Sequence, residues 1–141
     1  MRFKFLKPNP EPMKRLTRAV VNGAIDLAAK EVKRELEASV RGWRHKPDFR
    51  IERAGDDTRR VTTDDEIFIY QDQGTGTHAG KGKYTIRPRR KRALSWPGAA
   101  HPVRVVRHPG VKAMRYTDKV ANGIAGKILE VMNEAIRKAT P

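Results

Sequence analysis

Apolar residues recur at spacings of three and four at Leu16, Val20, Ala24, Leu27, Ala28, Val32, Leu36 and Val40, with Lys14, Arg18, Lys30, Lys33 and Glu37 outside the stripe. This pattern predicts one long amphipathic helix over about residues 13–40, its stripe facing a core and its end set by Gly42. Asn22-Gly23 is the weak point within it. The same period returns through Tyr116, Val120, Ile124, Ile128, Val131 and Ala135, and predicts a closing helix over about residues 116–138. Gly123 and Gly126 lie inside that second stretch, each costing about 1 kcal/mol relative to Ala. Arg137 and Lys138 suit its C-terminal end.

Between the two helices the period shortens to two. Residues 48–53 alternate apolar and polar side chains, as a half-buried strand does, and Ala54-Gly55-Asp56-Asp57 makes a turn into a polar, β-prone segment at 58–63. Asp64-Asp65 breaks that segment before residues 66–72, which are expected as a strand with Phe68 and Tyr70 on one face and Ile67 and Ile69 on the other. Residues 74–82 read as a glycine-rich surface loop. Further strands are expected at 84–87, with Tyr84 and Ile86 facing inward, at 93–96 and at 103–107, separated by Pro88, by the cationic turn at 89–92 and by Pro97-Gly98.

The resulting layout is α+β: a long N-terminal helix and a C-terminal helix packed on a small, mostly antiparallel β-sheet. A length of 141 residues suits a single domain over 13–141. Residues 1–12, with Pro8, Pro10 and Pro12, cannot be helical and are expected as an extended N-terminal arm.

Charge changes this picture from a generic domain to one with a partner. Lys and Arg number 31 against 16 Asp and Glu, a formal net charge of +15. The excess is concentrated, since no acidic residue occurs between Asp72 and Asp118. Within that gap Lys81, Lys83, Arg87, Arg89, Arg90, Lys91, Arg92, Arg104 and Arg107 are the candidate contact residues. Their partner is a polyanion such as nucleic acid or an acidic protein surface, and composition leaves both open. The chain has no cysteine, so disulfides, thiolate metal sites and cysteine nucleophiles are excluded. The basic start is interrupted by proline before any apolar stretch of signal-peptide length, and no segment reaches membrane-spanning length. The cytoplasm is therefore the expected site of synthesis, with no membrane partner.

Sites for chemistry are sparse. Gly74-Thr75-Gly76-Thr77-His78-Ala79 satisfies G-x-G-x-x-A, but that fingerprint requires a strand before it and a helix after it, whereas another strand is expected at 84–87. Gly80-Lys81 fails as a phosphate loop for the same reason. His45, His78, His101 and His108 show no metal-ligand spacing, the Asp56-Asp57 and Asp64-Asp65 pairs fall in turns, and Ser39 and Ser95 lack a nucleophile context. No catalytic residue, cofactor or metal is expected.

One ordered set of motifs remains. Tyr70 leads into Gly74-Thr75-Gly76, followed by Tyr84-x-Ile86-x-Pro88, by Ala93-Leu94-Ser95-Trp96 and by Val103-x-x-Val106-x-His108-Pro109-Gly110-x-Lys112-Ala113. In this order, and flanked by two helices, the chain resembles over residues 13–139 the tail-completion, or head–tail joining, proteins of long-tailed bacteriophages. The resemblance implies a non-enzymatic virion protein that forms a ring, six-fold in symmetry, at the head–tail junction. Its implied partners are further copies of itself, a head-side connector or stopper protein, a tail terminator or tail tube protein, and genomic DNA in the lumen. Gly74, Gly76, His108, Pro109 and Gly110 are then the loop and joint motif. Arg115 departs from the family pattern, which places Pro before the aromatic that here is Tyr116. The basic run near Arg89 and the N-terminal arm also lie outside the resemblance.

A stand-alone basic nucleic-acid-binding domain is the other reading of the charge. Against it, Tyr84 is the one aromatic between Lys81 and Arg92, where single-strand binders interleave aromatics with cations, and no helix-turn-helix or zinc pattern is present.

Overall fold

Helix α1, Arg18–Ser39, is the spine of the first part of the fold. The computed structural model describes residues 18–140, so the expected arm at 1–12 and the expected helix start at 13–17 lie outside the described residues. Ala24, Ile25, Ala28, Ala29, Val32 and Leu36 are buried. At 100° per residue these six span an arc of about 140° centred on Val32. Leu27 falls outside the arc and is 42% exposed, so the buried stripe is rotated from the expected one and takes in Ile25 and Ala29 instead.

The described residues form two compact units, 18–65 with 116–140, and 66–115. In the first, α1 packs on a β-hairpin and on the closing helices. Strands β1, Arg50–Arg53, and β2, Arg59–Thr62, pair antiparallel in the register Ile51 to Val61, and the hairpin closes with the Ala54 amide donating to the Thr58 carbonyl at 3.0 Å. Phe49 and Val61 add to the α1 core, each at most 3% exposed. Arg59 is 6% exposed, its guanidinium paired with the Asp26 carboxylate and donating to the Gly55 and Thr58 carbonyls. A buried cation costs several kcal/mol unless its donors are met, and the carboxylate and two carbonyls meet them.

The closing helix is interrupted. Helices α3, Tyr116–Gly123, and α4, Ala125–Ala139, replace the expected continuous helix at 116–138. Gly123 is the reason available from propensity, since it is the weakest helix former in the stretch along with Gly126. Bonds from the Ile124 amide to the Val120 carbonyl and from the Ile128 amide to the Ile124 carbonyl carry the helical path across the break. Ile124, Ile128 and Met132 are buried. Lys127 of α4 reaches Glu31 at 2.7 Å and Glu35 at 2.5 Å on α1. Arg34 and Lys127 hold the Glu31 carboxyl below its ordinary value, and the two carboxylates raise Lys127. Trp43 meets Tyr116 edge-on at 5.6 Å.

The second unit begins with a correction. Residues 66–72, expected as a strand, lie in helix α2, Glu66–Gln73. Phe68 and Asp72, four apart, are the buried pair, while Ile67 and Tyr70 are about half exposed. Acidic residues at 64–66 favour the positive end of a helix dipole, and Gly74, at φ 76°, follows the last residue in the left-handed conformation typical of a helix terminus. These local signals outweigh the β propensity of Ile-Phe-Ile-Tyr. Strands β3, Tyr84–Ile86, and β4, Val106–His108, pair antiparallel. The strands expected at 93–96 and 103–107 shrink to one bridge between Leu94 and Val103 and to β4, which starts three residues later than expected. Proline at 97 and 102 removes ladder donors from both strands on the tip side of that bridge. The α+β class expected from the sequence is observed, with its strands divided between two antiparallel pairs.

Candidate assembly surface

Two glycine motifs, about 35 residues apart in sequence, meet in the second unit. The Thr75 amide donates to the Val111 carbonyl at 2.8 Å and the Thr77 amide to the Pro109 carbonyl at 2.7 Å. In return the Val111 amide donates to Thr75 Oγ1 at 2.9 Å, and the Thr77 hydroxyl donates to the Pro109 carbonyl at 2.7 Å. Glycine is required at the crossing. Gly76 has φ 61° and Gly110 φ 105°, and a Cβ on either would collide with backbone, with the Pro109 carbonyl in the first case and the Thr75 carbonyl in the second. A Cβ on Gly74 would sit 2.9 Å from both the Val111 oxygen and the Ala113 nitrogen.

The loop and joint residues are thus one structure. Gly74 and Gly76, expected on a surface loop, are buried because the 109–113 backbone lies against them, and Gly76–Ala79 forms a 3-10 turn rather than open coil. Gly110 donates its amide to His108 Nδ1 at 2.9 Å, which places the proton of the neutral ring on Nε2. His108 also faces Tyr84 at 5.4 Å between ring centroids. The crossing extends to α2, whose Gln71 and Asp72 carbonyls accept the Met114 and Arg115 amides at 2.8 and 3.1 Å. Those are orphan acceptors of a helix C-terminus, met by the returning chain. Arg115 has φ 53°, a value closed to proline. Thr75 and Thr77 were not singled out in the sequence. Their position between the glycines was the available signal, because a hydroxyl there can bond backbone brought close by glycine.

Beyond the crossing the chain runs out as a ribbon, β3 and β4 leading to the Leu94–Val103 bridge. No residue from 77 to 115 is buried. The nine candidate cations all lie on this segment and all are exposed: Lys81 and Lys83 before β3, Arg87 after it, Arg89, Arg90, Lys91 and Arg92 in consecutive bends, and Arg104 and Arg107 on the return. Among the described residues none of the nine forms an ion pair, whereas most acids of the first unit do. Thr85 lies opposite Arg107, so alternation sets Lys83, Arg87 and Arg107 on one face of the ribbon. Tyr84, Ile86, Val106 and His108 take the other. Tyr84 is 40% exposed and Ile86 half-buried, so the expected inward face covers no core of its own.

Other features do not converge on this surface. Among the described residues no group of three His, Asp or Glu is placed to hold a metal ion. An open groove of about 520 Å³ in the first unit is lined by Glu35, Ser39, Tyr116, Lys119, Val120 and Lys127 among others, and holds none of the candidate residues. No described helix is long and apolar enough to cross a membrane. Comparison of the chain with protein-family models, with curated proteins and with solved structures finds no match.

Proposed function

We propose that the chain is a structural protein of a bacteriophage neck, forming a ring that completes the tail and joins it to the DNA-filled head. The motif order given above supports this reading. So does one observation: a ribbon held at its base by a backbone crossing that tolerates only glycine, yet burying nothing of its own from 77 to 115. Ordering a residue costs about 1–2 kcal/mol of backbone entropy, and burial within the same chain is the usual compensation. Here that compensation comes from contacts between chains, with the apolar face of Tyr84, Ile86 and Val106 laid on a neighbour. The remaining neighbours are a head-side connector and a tail terminator or tube protein, at the head–tail junction of the virion.

Electron microscopy and sedimentation of the purified full-length chain test the proposal. Closed rings, and density for the protein at the head–tail junction of particles, are expected. A monomer at micromolar concentration, with particles that join heads to tails in its absence, overturns the reading. A stand-alone basic nucleic-acid-binding domain is favoured instead by the nine unpaired cations, and would appear in the same experiment as a monomer that binds nucleic acid with steep salt dependence.

A further inference from the structure

The charge of the ribbon restricts what can cover it. Residues 66–115 carry 11 Lys and Arg against Glu66 and Asp72, a net +9, and the acids of this unit precede the ribbon. The described residues of the first unit, 18–65 and 116–140, hold 15 Lys and Arg against 13 acids, close to neutral. Eight of those 13 acids, Asp26, Glu31, Glu35, Glu37, Asp56, Asp64, Asp65 and Glu134, already sit in ion pairs within the chain. Among the described residues a second copy therefore offers six exposed or half-exposed carboxylates outside ion pairs, five in its first unit and Glu66, to a ribbon with nine exposed cations. Copies of this chain can cover the apolar face of the ribbon, but they cannot neutralise its cationic face.

We infer that the cationic face, from Lys83 through the Arg89–Arg92 bends to Arg107, contacts the phosphate backbone of duplex nucleic acid. The inference deepens the assembly reading, from which it takes the ribbon as a contact surface. Lys83, Arg87 and Arg107 share a face with Thr85 and, by the same alternation, Val105, so cations outnumber apolar side chains on it. A duplex offers about one negative charge per 1.7 Å of axis, a continuous complement to a run free of acids over 45 positions. Single strands are a poorer fit. Between Lys81 and Arg92 the aromatic, Tyr84, is committed to His108 on the opposite face, and exposed Trp96 is the one further aromatic from 77 to 115 apart from histidine, so the charges are not interleaved with stacking platforms. Contact of this kind is independent of base sequence, because it is made by charge and reads no base edge.

The test uses the full-length chain and a 30-base-pair duplex of arbitrary sequence, with affinity measured across a salt series. The variant R89S/R90S/K91S/R92S removes four exposed charges from the bends. A control, K30S/R41S/R44S/R137S, removes four exposed, unpaired charges from the first unit and holds net charge equal between the two. Far-ultraviolet circular dichroism and melting confirm that both variants keep the fold. If four phosphate contacts are lost, the slope of log affinity against log salt becomes shallower by about 3.6 in the first variant and changes little in the control. Equal slopes in the two variants overturn the inference, as does tighter binding to oligo-dT of the same length that depends on Trp96. Loss of self-association in the first variant with duplex binding intact assigns the bends to a protein neighbour and overturns it also. Mass measured on the same samples separates the two proposals: a monomer with a slope that depends on the bends removes the ring and keeps the nucleic-acid contact, and a ring with no such slope does the reverse.

Discussion

Gly110→Ala tests the glycine crossing directly. At φ 105° an alanine pays the left-handed penalty of about 1–2 kcal/mol. Its Cβ also collides with the Thr75 carbonyl, so the two backbones must separate. Separation breaks the bonds from the Thr75 and Thr77 amides to Val111 and Pro109, and from the Val111 amide to Thr75 Oγ1, each contributing about 1 kcal/mol net. The total is about 4 kcal/mol. Gly80→Ala is the matched comparison, because Gly80 has φ 71° but nothing within 4 Å of its Cβ position. It carries the conformational penalty alone. Amide hydrogen exchange at Thr75, Thr77 and Val111 reads the opening where it occurs. Protection in Gly110→Ala should fall about a hundredfold further than in Gly80→Ala, the equivalent of about 3 kcal/mol. Equal loss in the two variants would show that positive φ, and not the crossing, is what these glycines serve.

Further expectations follow from the same contacts. Phe49→Ala, at a side chain 2% exposed, should lower unfolding free energy by about 3–5 kcal/mol in a urea titration, and a loss under 1 kcal/mol would contradict its place in the core. Arg115→Pro removes the amide that bonds the Asp72 carbonyl and forces φ from 53° to about −65°, and should cost about 3 kcal/mol or more, seen as lost protection at the end of α2. Because Glu31 is held below its ordinary 4.5, its contribution to stability is complete above that pH and is lost as pH falls through the lowered folded value. Melting temperature should accordingly decline less steeply between about pH 5 and pH 3 in Glu31→Gln than in the parent protein.

The helices were legible where a single face decided them. Val32 and Leu36 stand in the core stripe of α1 and Ile128 in that of α4, as their spacing required. Leu27 was not, because hydrophobicity alone does not say where an arc is centred, and Ile25 and Ala29, on the side to which it is rotated, stand outside the spacing first read. The reading of 66–72 as a strand weighed β-branched and aromatic content over the acidic start and the following Gly74, though the latter pair carried the answer. The candidate site divides in the same way. Exposure of the nine cations could be read from their density and the absence of acids. The meeting of Gly74–Thr77 with Pro109–Val111 could not, since pairing across 35 residues depends on bonds between backbone atoms that every residue possesses. Glycines without a local turn to explain them were its visible trace.

The crossing also fixes the two ends of everything between them. Once residues 77 and 109 are bound together, the intervening segment is a closed loop, and loop-closure entropy grows only logarithmically with length, by about 0.6 kcal/mol for each doubling. Insertions or deletions around 88–102 would therefore leave the base intact. The fold separates a part that must keep its glycines from one whose length and charge are free to change with whatever it touches.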